Sequence, residues 1–408
     1  MRVLFTCHGG MPHLFPMVPL AWAFRSAGHE VRIASQARIL DALMHTGLPV
    51  VEISRTPEWT EEERAETIRK IYQQDPLPAG WTGDLSVLSE EQRAYQEFIG
   101  RRMIRIAEAM VDELTAFGRR WRPDLVVYDA EAFAGPVVAE QLGVPGVRHL
   151  FGTATVPRTE LDATGAPLPE YVRLFQDRGM RARLTAAATV DPTPPSMRLE
   201  HDPGRLAVRY VPYNGAGQLP AWLLRPRYRP RVCVTWGHTA ATIGDAATHP
   251  FRDAIGALSG MDVEIVVITT PAQLELLGAE LRGGVHAAAS VPLHLVLPHC
   301  DVLVQQGGDG TTLTAASAGV PQLAISRKPD AEMAPGRLAA VGAGIHLRYQ
   351  ELRQDPARAQ VIRDAVGRLL REDGYRAAAR RLRQEIERQP APAEVVPALA
   401  RLAPDGPS

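Results

Sequence analysis

The run Val304-Gln305-Gln306-Gly307-Gly308-Asp309-Gly310-Thr311-Thr312-Leu313-Thr314-Ala315-Ala316-Ser317-Ala318-Gly319-Val320-Pro321 decides how the chain is read. Asp301 to Val304 is the end of a buried strand, Gly307, Gly308 and Gly310 make a turn, and a short helix runs from about Thr311 until Gly319 stops it. Such a turn leaves backbone N–H groups unpaired at a helix N-terminus, where the macrodipole also favours negative charge. It is a place to put a phosphate.

Outward from this turn, strand-like runs recur with helical stretches between them: Arg231 to Thr235, Val263 to Ile268, Leu293 to Leu297, Val302 to Val304 and Gln322 to Ser326. The N-terminal half has the same grammar. Arg2 to Cys7 is a strand, Cys7 to Pro16 a loop holding His13, Met17 to Ala27 a helix closed by Gly28, and Glu30 to Ala34 the next strand. Pro123 to Asp129 is a buried strand ending in a carboxylate, followed by a helix to Leu142 and a strand at Val144 to Val147. Alternation of this kind predicts parallel, doubly wound sheets, whose ligands bind at the carboxyl ends of the strands. His13 and Asp129 both lie at such ends.

Thr60-Glu61-Glu62-Glu63 starts a helix with a capping box, Ser89 to Trp121 carries apolar residues at helical spacing, and Asp75 to Gly83 is a Pro/Gly loop containing Trp81. Near Tyr210-Val211-Pro212-Tyr213-Asn214-Gly215 the periodicity dissolves as far as Arg231. The expected domains are therefore 1–210 and 231–388, joined by a linker at 211–230, with a C-terminal helix and tail at 389–408; a long helical region rich in Arg and Glu covers Arg358 to Arg388.

A chain of 408 residues exceeds what one core usually supports. With 45 Lys plus Arg against 46 Asp plus Glu, no whole-chain field draws nucleic acid or an anionic membrane, so the ligand is expected to be small. Cys7, Cys233 and Cys300 form neither a CxxC pair nor a disulfide framework, the N-terminus enters a strand without a signal-peptide pattern, and no apolar run approaches the roughly 20 residues of a membrane span. The expectation is a cytoplasmic protein.

The motifs His13-Leu14-Phe15-Pro16, Tyr210 to Gly215, Val291-Pro292-Leu293, and Gly307 to Thr312 with Gly319-Val320-Pro321-Gln322 stand in an order that resembles the family 1 glycosyltransferases of GT-B fold. The resemblance covers the whole chain and is nearest to actinobacterial enzymes of antibiotic and natural-product biosynthesis. It implies an α/β protein of two facing Rossmann-like domains with parallel sheets, the C-terminal helices packing back toward the first domain. It also implies a nucleotide-sugar donor (TDP-sugar or UDP-sugar), a hydrophobic small-molecule acceptor, no cofactor and no metal; a homodimer is left open. The sequence agrees on the metal, since it contains no Asp-x-Asp pair and His238, His294 and His299 lack zinc spacing.

By the same resemblance His13 matches the catalytic base and Asp129 its partner carboxylate, although an aspartate after a strand also suits a helix cap. Gly237, His238 and Thr239 match a turn approaching the donor diphosphate, Ser290 and Val291 the nucleobase clamp, and Gln306, Gly307, Gly308, Asp309, Gly310 and Thr311 the diphosphate loop. Asp330 matches a sugar contact. Met11, Phe15, Trp59 and Trp81 are read as acceptor-binding. The departures are specific: Gln305 and Gln306 replace histidines, Asp309 stands where alanine is common and suits a helix cap, Ser290 replaces a tryptophan, and Ala331 replaces a glutamine, which fits a donor with fewer hydroxyls. The function expected is an inverting transfer of a deoxysugar to an acceptor hydroxyl. A non-catalytic sugar-nucleotide-binding partner and a UDP-glucose-dependent resistance transferase are the alternatives.

Overall fold

Apolar runs that stay buried along their whole length make strands covered on both faces, the pattern of all-parallel sheets. The computed structural model, which describes residues 1–78, 80–152, 156–199, 204–237, 249–281, 284–327 and 333–403, contains two such sheets. The chain divides into two units: Met1–Thr193, Leu199–Tyr210 and Gln389–Ser408 in the first, Pro194–Arg198 and Val211–Arg388 in the second.

In the first unit β1 (Arg2–Thr6), β2 (Glu30–Gln36), β3 (Val50–Ile53), β4 (Leu125–Asp129), β5 (Gly146–His149), β6 (Ala188–Asp191) and β7 (Arg205–Ala207) lie in the order β3-β2-β1-β4-β5-β6-β7. Every pairing is parallel, with Thr6 opposite Ala34 on one side of β1 and opposite Tyr128 on the other. The order reverses between β1 and β4. In the second unit β8 (Arg231–Thr235), β9 (Glu264–Thr269), β10 (Val285–Ala289), β11 (Val302–Gln305), β12 (Gln322–Ser326) and β13 (Gly344–Arg348) run β10-β9-β8-β11-β12-β13, and the reversal falls between β8 and β11. Both are Rossmann-like, the GT-B plan that the resemblance implies.

The helix Glu90–Trp121 spans 32 residues because both ends are specified. Ser89 and Gln92 exchange a capping box, and Arg122, at φ 55°, turns the chain left-handed before Pro123. Its buried stripe, Ile104, Ala107, Met110, Val111 and Leu114, packs with Val137 and Val138 of the helix Ala134–Leu142 over Leu4 and Val126 of the sheet. The chain returns to the first unit at its end. The Arg209 N–H donates to the Pro390 carbonyl at 2.7 Å, and the helix Pro392–Ala400 buries Val395, Val396 and Leu399 while packing on the helix Val18–Ser26.

Two expectations need correction and one is refined. Leu293 to Leu297 is not a strand: Leu293–Val296 is a helical turn with Pro292 at its N-cap, and the strand of that region is Val285–Ala289. The Arg/Glu-rich region is two helices, Arg358–Arg371 and Asp373–Arg388, because Glu372 takes an extended ψ of 107°. The helix after the glycine turn starts at Asp309, with Gly308 as its N-cap, so Asp309 lies in the first turn and is not the cap. Among the described residues no helix is long and apolar enough to cross a membrane.

His149 at the end of β5 makes the first unit pH-sensitive. Burial pushes its imidazole down to about 4 from an ordinary 6.5, and Nδ1 donates to the Leu150 carbonyl at 2.7 Å. The folded state keeps this ring neutral while the unfolded chain protonates it, so its contribution is complete above pH 6.5 and is lost as pH falls toward 4, by about 3 kcal/mol in all. Urea-unfolding midpoints taken between pH 7 and 4 are expected to fall less steeply in His149→Asn than in the native chain; equal slopes would remove His149 as the cause.

Candidate active site

The segment after β1 is helical earlier than its prolines suggest. Met11–Leu14, Phe15–Met17 and Val18–Ser26 follow one another as short helical pieces, each with a proline in its first two positions, where the missing N–H is no loss. His13 therefore stands on a helical turn, its own N–H bonded to the Gly10 carbonyl at 3.1 Å, and not on an open loop. Met11 and Phe15 are half-buried on the same turn.

Because β1 and β4 are neighbours, this turn lies against the carboxyl end of β4. His13 Nδ1 is 3.0 Å from Asp129 Oδ1 and 3.1 Å from Oδ2. Asp129 is fully buried, and its Oδ1 also accepts the Glu131 N–H at 3.0 Å. A carboxylate can only accept, so Nδ1 carries the imidazole proton and Nε2 is the unprotonated nitrogen of the neutral ring. The ring is held between the His8 ring at 4.0 Å and the Phe151 ring at 4.4 Å. Burial, reinforced by the nearby His13 and Arg38, keeps His8 well below the ordinary histidine range and therefore neutral. Glu131 brings an oxygen to 3.9 Å from His13 Nε2. His8 and Glu131 are invisible to a sequence reading, because only the β1–β4 adjacency places them beside His13.

The remaining acceptor candidates are placed differently. Trp81 is buried with Leu77 and Leu88, so the Pro/Gly loop forms a small core of its own. Trp59 packs on the main core with the Arg102 and Arg105 guanidinia 3.8 and 4.3 Å from its ring centre.

The second unit repeats the topology with other chemistry. Gly237 follows β8 at φ 63°, and the glycine turn follows β11 with Gly307 at φ 91°, left-handed conformations that a side chain would strain. A Cβ on Gly237 would collide with the Gln306 amide, and one on Gly308 would come to 2.8 Å from it. Gln306 thus lies between the two glycine turns. Gln305 is fully buried and supports the loop from beneath: Nε2 donates to Thr312 Oγ1 at 2.9 Å and to Gln322 Oε1 at 3.0 Å, while Oε1 accepts the Gly307 N–H at 2.7 Å. Gln273, buried, donates to the Gly237 carbonyl at 3.2 Å. Gly310 and Thr311 form the first helical turn beside Asp309, so their N–H groups point out of a helix N-terminus.

Ser290 holds φ 57° and is exposed, followed by a half-buried Val291. The midpoint motif is anchored here: Asn214 Oδ1 accepts from the His294 N–H at 3.1 Å and from His294 Nδ1 at 3.0 Å, and Asn214 Nδ2 reaches Thr314 Oγ1 at 3.3 Å. His238, Thr239 and Asp330 lie outside the described residues.

The comparisons with known proteins agree across the chain. Residues 22–237 match the family described as Erythromycin biosynthesis protein CIII-like, N-terminal domain, and residues 252–402 its C-terminal domain counterpart. Tylactone mycaminosyltransferase of Streptomyces fradiae is 33% identical, covering 98% of this chain and 92% of that protein. Aclacinomycin-T 2-deoxy-L-fucose transferase of Streptomyces galilaeus is 35% identical over 98% of this chain and 96% of its own. The solved structure of a spinosyn rhamnosyltransferase complexed with thymidine diphosphate superposes with a TM-score of 0.79 at 29% identity, covering 98% of this chain and 100% of that one.

Gln305→Leu removes an amide that serves the Gly307 N–H, the Thr312 hydroxyl and Gln322 together. At about 1–3 kcal/mol for each buried group left unpaired, the loss expected in chemical denaturation is about 3 kcal/mol or more. An unchanged midpoint would mean that the glycine turn does not depend on this amide.

Proposed function

We propose, from the premise that this chain belongs to the erythromycin biosynthesis protein CIII-like glycosyltransferases of family 1, that it moves a deoxysugar from a TDP-sugar to a hydroxyl of a hydrophobic natural-product acceptor with inversion. The observation that carries the reading is the His13–Asp129 contact at 3.0 Å, which leaves Nε2 as a proton acceptor on a ring only 15% exposed. The thymidine diphosphate in the similar spinosyn rhamnosyltransferase and the 2-deoxy-L-fucose of the aclacinomycin relative support the donor class. The place of action proposed is the cytoplasm.

In this reading His13 Nε2 takes the acceptor hydroxyl proton as the oxygen attacks the anomeric carbon. The anomeric C–O bond to the diphosphate breaks, and the nucleoside diphosphate leaves with the electron pair. Asp129 holds the ring in the productive tautomer and stabilises the imidazolium that forms. On the donor side the N–H groups of the helix N-terminus at Asp309 to Thr311 receive the leaving phosphate. Gln306 adds a neutral amide, and Ser290 with Val291 sits where the base would bind.

His13→Ala is expected to lower turnover by about 10²- to 10⁴-fold, as loss of a general base does, while calorimetry shows TDP affinity unchanged within about threefold. Asp129→Asn is expected to lower turnover with the fold intact. A mass-spectrometric assay with a panel of TDP-sugars and aglycones reads both. His13→Ala at the native rate would end the base assignment, and TDP binding without turnover on any pair would favour a non-catalytic nucleotide-sugar-binding partner.

A further inference from the structure

His8 is a buried polar side chain that the proposed transfer leaves unused. It is 6% exposed, and neither ring nitrogen has a hydrogen-bond partner among the described residues. A neutral imidazole offers one donor and one acceptor, and leaving both orphaned costs about 1–3 kcal/mol each unless something else binds there. What surrounds the orphaned ring identifies that something. His8, His13 and Glu131 each present one ligand atom, and these atoms lie within 4.8 Å of one another.

We propose that His8, His13 and Glu131 form a binding site for a divalent transition metal, zinc above all, and that an ion bound there inhibits the enzyme. Two imidazoles and one carboxylate are a ligand set that zinc accepts in protein sites with an open fourth position. Asp129 completes the arrangement from behind: a carboxylate on Nδ1 fixes a histidine with Nε2 directed outward and raises its basicity as a ligand. Bonds of about 2.0–2.2 Å in a tetrahedral site hold ligand atoms about 3.4 Å apart, so closure asks for side-chain movements of roughly 1 Å. The charges suit a cation, since Glu131 and Asp129 lie beside the ring pair. The Arg38 side chain, packed over Gly9, opposes them and weakens the binding.

The consequence is chemical competition for one lone pair. A metal on His13 Nε2 occupies the position that takes the acceptor's proton, so the ion stops transfer by binding the base. It takes no part in the reaction. The inhibitory step rests on His13 being that base; the binding site does not.

Isothermal titration of the full chain with zinc chloride tests the site, using the native protein, His8→Ala and Glu131→Gln, with circular dichroism to confirm folding. The native chain is expected to bind one ion, with affinity at least tenfold weaker in each variant, and cobalt(II) to give the intense visible absorption of a near-tetrahedral centre. Glu131→Gln decides alone if His8→Ala does not fold. No binding by the native chain, or equal affinity in the folded variants, overturns the proposal. Turnover in zinc, relative to each protein's own rate in EDTA, then reads the consequence: the half-inhibiting concentration is expected to rise at least tenfold in the variants. Zinc bound at this site without inhibition would overturn the inhibitory role and, separately, the assignment of His13 as the base.

Discussion

A carboxylate with no access to water must have its charge answered by the protein, and Asp129 has no access at all. The His13 imidazole and the Glu131 N–H supply that answer, and both are delivered by topology. Where strand order reverses, the segments leaving β1 and β4 cannot be covered by a crossover between them and so face each other at the sheet edge. The buried charge fixes the tautomer of His13, and the three prolines hold the helical pieces that carry the ring. Breaking the pair would leave an ion stranded in the core, so the site and the stability of the first unit are linked.

The second unit applies the same geometry to an opposite problem. At its reversal between β8 and β11 the described residues include no acid–base pair; they offer glycines in left-handed conformations, backbone N–H groups and neutral amides. Groups of this kind bind an anion through fixed dipoles without adding a full positive charge. Asp309, inside the first turn, complements the same helix dipole that a phosphate would use. In the proposed transfer the first unit would supply proton acceptance and the second anion stabilisation.

Much of this was legible before any coordinates, for identifiable reasons. Continuous apolar runs such as Leu125 to Tyr128 and Val302 to Val304 read as buried strands because only a sheet covered on both faces tolerates them. The same reading failed at Leu293 to Leu297. A short apolar run carries no periodicity that separates strand from helix, and the true strand, Val285–Ala289, is rich in alanine and holds His286. His13 and Asp129 were findable because each follows a strand and matches a family motif. Met11 to Leu14 was hidden as a helix by prolines that in fact start it. Trp81 reads as acceptor-binding, and its place in a small core with Leu77 and Leu88 is not legible because the packing of a Pro/Gly loop on itself leaves no periodic trace. His8 and Glu131 lie 123 positions apart in the chain and meet only through the β1–β4 pairing.

The glycine turn after β11 shows how a departure from a family pattern can be read physically. Two glutamines stand where the pattern has histidines, and the structure gives them different tasks. Gln305 satisfies three partners at once, donating twice from one nitrogen and accepting once on its oxygen. A neutral imidazole, with one donor and one acceptor, could serve only two of them. The exchange is therefore coupled to Gln322 and Thr312, which supply the additional acceptors, and it strengthens the floor of the loop. Gln306 is the reverse case. Its Oε1 is buried with no partner among the described residues, while its Nε2 is pressed against Gly237 and Gly308. The amide is held between two turns where the absence of a side chain makes room for it. The loop is thus rigid where it touches the protein and unsatisfied where the glycines open it, which is the distribution a ligand-binding turn requires.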